Sequence, residues 1–217
     1  MGGKPFSVFI ATLGSEPQVI TAALDLLYQQ GFAIQETHVL HTVCAEGPVH
    51  EAVVTLNNHL MQWRYPTPVT FHLHPILVNG LPIADVETPA SSEAAFRTLY
   101  AIIHQMKASG QQVHLSIAGG RKNLAIYAMI AAQLLFDEED HLWHLYSSGD
   151  FLTSKRLHPN PDDDVHLLPI PVLLRDYLSP ALTHLRDVQD PYVAIERIRQ
   201  LDLKNKFEQI DGYIQGA

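Results

Sequence analysis

Two apolar runs that end in glycine turns constrain this chain more than any other feature. Phe6–Thr12 leads into Leu13-Gly14-Ser15-Glu16-Pro17-Gln18, and Val113–Ile117 leads into Ala118-Gly119-Gly120-Arg121-Lys122-Asn123. Each run reads as a buried strand, and each turn opens a segment with helical apolar spacing. Small residues at a strand-to-helix turn leave backbone N–H groups open at a helix N-terminus, where an anion can sit. The second turn adds two cations. Together the turns point to a phosphate-bearing ligand held between two loops of an α/β sheet.

The rest of the chain repeats the alternation. Pro17 suits the first turn of a helix, and Val19, Ile20, Ala23, Leu24 and Leu27 carry it to a stop at Gly31. Thr37–Val43, Val69–Leu77 and His141–Tyr146 read as further strands. Helical spacing returns through Val53, Leu56, Leu60 and Trp63, from Ser91 or Ser92 to Ser109, and from Leu124 to Phe136. The stretch from Asn79 to Ala90 reads as a loop, and Phe151–Asp164 as polar and irregular. Strands alternating with helices imply an α/β, Rossmann-like fold: a mainly parallel sheet with helices on both faces. In the order 3-2-1-4-5 the first and fourth strands are neighbours at the switch point, and both marked turns follow those two strands. Leu167–Leu174 suits an edge strand, because prolines exclude it from a central one. From Tyr192 a helical tail presents Ile195, Ile198, Leu201, Phe207, Ile210 and Ile214 on one face. The expected division is a Rossmann-like domain over 5–175 and a helical C-terminal extension over 176–217.

Charge and cysteine content narrow the partners. With 14 Lys and Arg against 23 Asp and Glu the formal charge is −9, which argues against duplex nucleic acid. A small anion in a local positive pocket remains compatible. Cys44 is the single cysteine, so a reducing, cytoplasmic setting is expected. No signal-peptide pattern and no apolar run of membrane-spanning length is visible, so no membrane partner is expected.

Gly119-Gly120-Arg121-Lys122 lacks the P-loop spacing, and the first strand lacks the G-x-G-x-x-G of a dinucleotide enzyme. Cations at a helix N-terminus oppose the macrodipole, so Arg121 and Lys122 need a compensating anion or ample solvent. Ser15 reads either as an N-cap or as a ligand contact. Gly14 suits close backbone approach, and Gln18 lies on the first turn of its helix. Cys44 reads as an apolar filler or a pocket wall. His72 and His74 share a strand face, yet there is no HExxH and no Cys–His cluster, so neither metal nor cofactor is expected.

The run Ala-Thr-Leu-Gly-Ser-Glu-Pro-Gln-Val-Ile-Thr, paired with Ser-Ile-Ala-Gly-Gly-Arg-Lys-Asn, resembles the CARF family of CRISPR-associated Rossmann-fold proteins, most of all its stand-alone members. The resemblance covers about residues 5–175. It implies a homodimer that binds a cyclic oligoadenylate across the two-fold axis, in the antiviral signalling of type III CRISPR systems. It further implies a ring nuclease that cuts that messenger, most naturally the tetramer, without metal. The ribose 2′-OH attacks its own 3′-phosphate and leaves a 2′,3′-cyclic phosphate. Carried over by position, Ser15, Lys122 and Arg121 become the catalytic residues. Thr12, Gly14, Gln18, Gly119, Gly120 and Asn123 become ligand-binding positions. Asp85, Glu87 and Thr88 stand in the loop where family members often carry acidic and threonine residues, and Asp85 and Thr88 join the ligand set. The alternative is a non-cleaving CARF sensor that binds the ring and signals to a partner.

Overall fold

A computed structural model of the protein describes residues 7–62, 65–174 and 180–201. Its elements run β1 (Ser7–Thr12), α1 (Gln18–Gln29), β2 (Ile34–His41), α2 (Pro48–Gln62), β3 (Thr70–Pro75), β4 (Leu77–Val78) and β5 (Leu81–Pro82). They continue with α3 (Pro89–Ala108), β6 (Gln112–Ser116), α4 (Lys122–Leu135), β7 (His141–Ser147), α5 (Gly149–Ser154), β8 (Val165–Ile170) and a 3-10 turn at Pro180–Asp187. Residues 191–201 are helical.

Six strands form one sheet in the order β3-β2-β1-β6-β7-β8. All neighbours are parallel except β7 and β8. The order expected from sequence is therefore the order found, with the proline-bearing strand at one edge, where a missing N–H is tolerated. β1 is central and every residue in it is buried. That is why it reads as a nearly unbroken apolar run.

Successive residues of β1 feed opposite layers. Val8 and Ile10 join Val113, Leu115 and Leu40 beneath α3 and α4. Phe9 and Ala11 join Val39, Trp143 and Leu145 beneath α1 and α2. Leu182, Leu185, Val188 and Ala194 belong to the first layer. There the Tyr100 hydroxyl donates to the Val188 carbonyl at 2.8 Å, and Arg97 pairs with Asp190.

Local chemistry explains where the elements depart from expectation. The stretch read as a loop after the third strand contains the β4–β5 hairpin. Its turn is Asn79-Gly80, with φ of 52° and 78°, the left-handed pair that a two-residue hairpin requires. α3 starts earlier than Ser91: Thr88 is its N-cap, Pro89 follows at the first position, and Thr88 and Ser91 cap each other reciprocally. Within the stretch read as irregular, α5 buries Phe151 in the second layer. The expected roles of Phe6, Trp63, Phe207, Ile210 and Ile214, and the boundary at 175–176, lie outside the described residues. Among the described residues no helix is long and apolar enough to cross a membrane.

Candidate functional site

β1 and β6 pair in register from Ser7↔Gln112 to Ala11↔Ser116, so both glycine turns leave the same edge of the sheet side by side. They touch. The Thr12 hydroxyl donates to the Gly119 carbonyl. A Cβ on Gly119 would stand 2.0 Å from the Thr12 carbonyl oxygen. A Cβ on Gly14 would stand 2.9 Å from the Gly120 nitrogen and 3.1 Å from its Cα. Glycine is required on both sides because backbone meets backbone with no room between.

The paired turns form a ridge between two clefts. One, of about 350 Å³, is lined by Ser15, Glu16, Gly119, His144, Tyr146 and others. The second, of about 330 Å³, is lined by Thr42, Cys44, Ala84, Asp85, Gly120 and Arg121 among others. Gly14 and Ser15 contribute to both. The helix behind the ridge is uncapped. Arg121, the N-cap of α4, is extended and makes no side-chain cap bond. The Leu124 N–H is taken up by the Arg121 carbonyl at 2.9 Å, while the Lys122 and Asn123 N–H groups ahead of it have no intrahelical partner, and partial positive charge accumulates at this end.

The expected site residues divide by environment. Ser15 and Lys122 are exposed, and no hydrogen bond or ion pair joins either side chain to another described residue. Ser15 is not the cap of α1, since that position is Pro17. Lys122 opens α4 on the solvent side and lines neither cleft. Arg121 is engaged by Asp85 in a two-point ion pair, with Nε 2.7 Å from Oδ1 and Nη2 against Oδ2. Asp85 is thus the compensating anion that a cation at this helix end needs.

Thr12 is buried under the ridge and positions Gly119. Gln18 is buried. Its amide donates to Glu16 at 2.5 Å, while its Oε1 has no hydrogen-bond partner among the described residues. Asn123 reaches the Val86 carbonyl at 3.4 Å, and its own Oδ1 is buried without a described partner. Thr88 is committed to capping α3, and Glu87 beside it is exposed. Cys44 is a pocket wall, its thiol donating to the Ala84 carbonyl at 3.2 Å.

Sequence reasoning overlooked His144 and Tyr146. Both are exposed and alternate with buried Trp143 and Leu145 at the C-terminal end of β7. That period of two, on the strand next to the switch point, is the signal that finds them. It also overlooked Lys155, which pairs with Glu16 at 2.5 Å beside the first turn. The grouping of metal-ligand side chains found among the described residues, Glu36, His38 and His72, lies on β2 and β3 and lines neither cleft.

The family described as CRISPR-associated protein NE0113 matches residues 16–202 of this chain. No curated protein matches it. Among solved structures, protein VC1899 from Vibrio cholerae is similar at 11% identity and a TM-score of 0.38. The match covers 64% of this chain and 30% of that protein, so the chain spans less than a third of its length.

Proposed function

This chain belongs to the CRISPR-associated NE0113 family, and from that premise we propose that it binds a cyclic oligoadenylate at the paired turns and cuts it. The observation that carries the reading is the backbone contact of Gly14 with Gly120. It sets two turns and an uncapped helix end on one ridge, with a cleft on each side large enough for part of a nucleotide. The positive groups are local while the whole chain carries −9, which suits a small phosphodiester better than a duplex.

The chemistry asks little of the protein. The ribose 2′-hydroxyl gives up its proton to water as its oxygen bonds to the adjacent phosphorus, the bond from phosphorus to the 5′-oxygen breaks, and that oxygen takes up a proton from water. The ring opens with a 2′,3′-cyclic phosphate at one end and a 5′-hydroxyl at the other. The protein fixes the in-line geometry and stabilises the charge on phosphate and leaving oxygen. In this reading Lys122 and the open amides of α4 supply the stabilisation, and Ser15 orients the ribose. A two-fold ligand suits two copies of one ridge, so the working unit is a homodimer with Ser15 and Lys122 of both copies facing one central pocket.

One observation favours the alternative, a sensor that binds without cutting. Arg121 is already paired with Asp85, which leaves Lys122 as the cation of this turn without a described partner. Labelled cyclic tri-, tetra- and hexa-adenylate, incubated with the protein with and without EDTA, separate the readings. Linear products ending in 2′,3′-cyclic phosphate, formed equally in EDTA, support the nuclease. Rings retained for hours and recovered intact support the sensor. Failure to bind any ring sinks both.

A further inference from the structure

The register of β2 against the edge strand β3 pairs His38 with His72 and Leu40 with His74. Alternate residues share a face, so Glu36, His38, His72 and His74 project from the same side of the sheet. Their polar atoms converge. The Glu36 Oε2 lies 3.2 Å from His38 Nε2 and 3.6 Å from His72 Nε2. The second distance is too long for a hydrogen bond, yet both nitrogens address one oxygen. The three ligand atoms all lie within 4.8 Å of one another. Ligand atoms around a tetrahedral zinc ion stand about 3.3 Å apart, given zinc–nitrogen bonds of about 2.0 Å.

We infer that Glu36, His38 and His72 bind a divalent ion of the zinc class, with a fourth position left to water. Two imidazoles and a carboxylate suit Zn²⁺, and Co²⁺ as its spectroscopic stand-in. His74 supplies the outer support such sites need: its Nε2 lies 3.0 Å from His38 Nδ1, which holds the His38 ring with Nε2 toward the carboxylate. Stacking on both neighbours, at centroid distances of 4.6 Å to His72 and 5.2 Å to His74, fixes the ring further. His72 is 41% and Glu36 35% exposed, so the ion has a path from solvent. Such a site ties the edge strand to β2 and stands apart from the clefts at the glycine turns.

The test uses the full, untagged chain, stripped with EDTA and dialysed, then titrated with Zn²⁺ by calorimetry and with Co²⁺ by visible absorption. One ion per chain, a tetrahedral Co²⁺ spectrum and a thermal midpoint that rises with added Zn²⁺ are expected. Glu36→Gln and His72→Ala should each weaken binding at least about tenfold, and His74→Ala by a similar factor through loss of support. Far-ultraviolet circular dichroism of the stripped variants verifies the fold, and the near-isosteric Glu36→Gln keeps the test valid if an alanine variant fails it. The inference is overturned if the wild type takes up no ion at micromolar Zn²⁺. It is equally overturned if the His72→Ala variant binds as tightly as wild type, or if Cys44→Ser removes the binding.

Discussion

Arg121 and Asp85, both lining the second cleft, are joined by a two-point ion pair that bridges the α4 turn and the loop before α3. The Arg121 side chain is 65% exposed, so the pair is weak enough to exchange partners. Asp85→Asn should therefore release the guanidinium and tighten binding of an anionic ring by up to about fivefold. Fluorescence titration with labelled cyclic tetra-adenylate measures this, and weaker binding would mean that Asp85 touches the ligand itself.

The ridge predicts its own fragility. Gly14→Ala places a methyl 2.9 Å from backbone nitrogen that has no flexible end to yield. Spreading the turns should cost about 1–3 kcal/mol in urea unfolding and weaken ring binding with it. Unchanged stability and binding would show that the turns separate freely, and the ridge would lose its place in the proposed site.

Lys122 and Ser15 should differ in kind. Lys122→Ala should slow ring cutting on the order of 10²-fold or more if the ammonium faces the reacting phosphate. Ser15→Ala should lose less, as expected of a group that only orients the ribose. Single-turnover cutting separates the two, and a Lys122→Ala enzyme of full speed would remove that residue from the chemistry.

Acid should unfold this protein earlier than its carboxylates alone suggest. His114 is buried against Phe32, and the Trp143 indole N–H donates to its Nδ1 at 3.2 Å, which fixes a neutral ring protonated at Nε2. Burial first, and His141 second, push its pKa from 6.5 down to about 3. Between those values the unfolded chain holds more protons than the folded one. The stability is full above about pH 6.5 and drains as pH falls toward 3, by about 2 kcal/mol at pH 5 from this residue alone. His74, His59 and His141 are lowered by burial in the same direction. Asp140, raised by burial to about 6, acts in the opposite sense over this range, so the test is differential: between pH 7 and 5 the thermal midpoint should fall more steeply in the wild type than in His114→Gln, and equal slopes would refute the assignment.

What the chain discloses before folding follows from range. β1 is buried on both faces, so Val8–Ala11 is a contiguous apolar run; β6 keeps Val113 and Leu115 apolar around a buried His114, and the sheet order follows from where the turns stand. The partnership of Arg121 with Asp85 spans 36 positions and depends on how a loop lies, which no local pattern encodes. Thr88 reads as a ligand residue, and the capping box it forms with Ser91 behind Pro89 is a structural role that this reading did not include. His72 and His74 disclose half of a cluster. Glu36 and His38 complete it only through the lateral register of two strands separated by α2.

The first hydrophobic layer is closed by residues far along the chain: Leu182, Leu185, Val188 and Ala194 cover it, and Val188 accepts the Tyr100 hydroxyl. During synthesis every strand of the sheet leaves the ribosome before them. The nascent protein thus carries a bare apolar patch over α3 and α4 through that interval, a surface for chaperones to shield. The first layer is complete only once this late segment has packed against it.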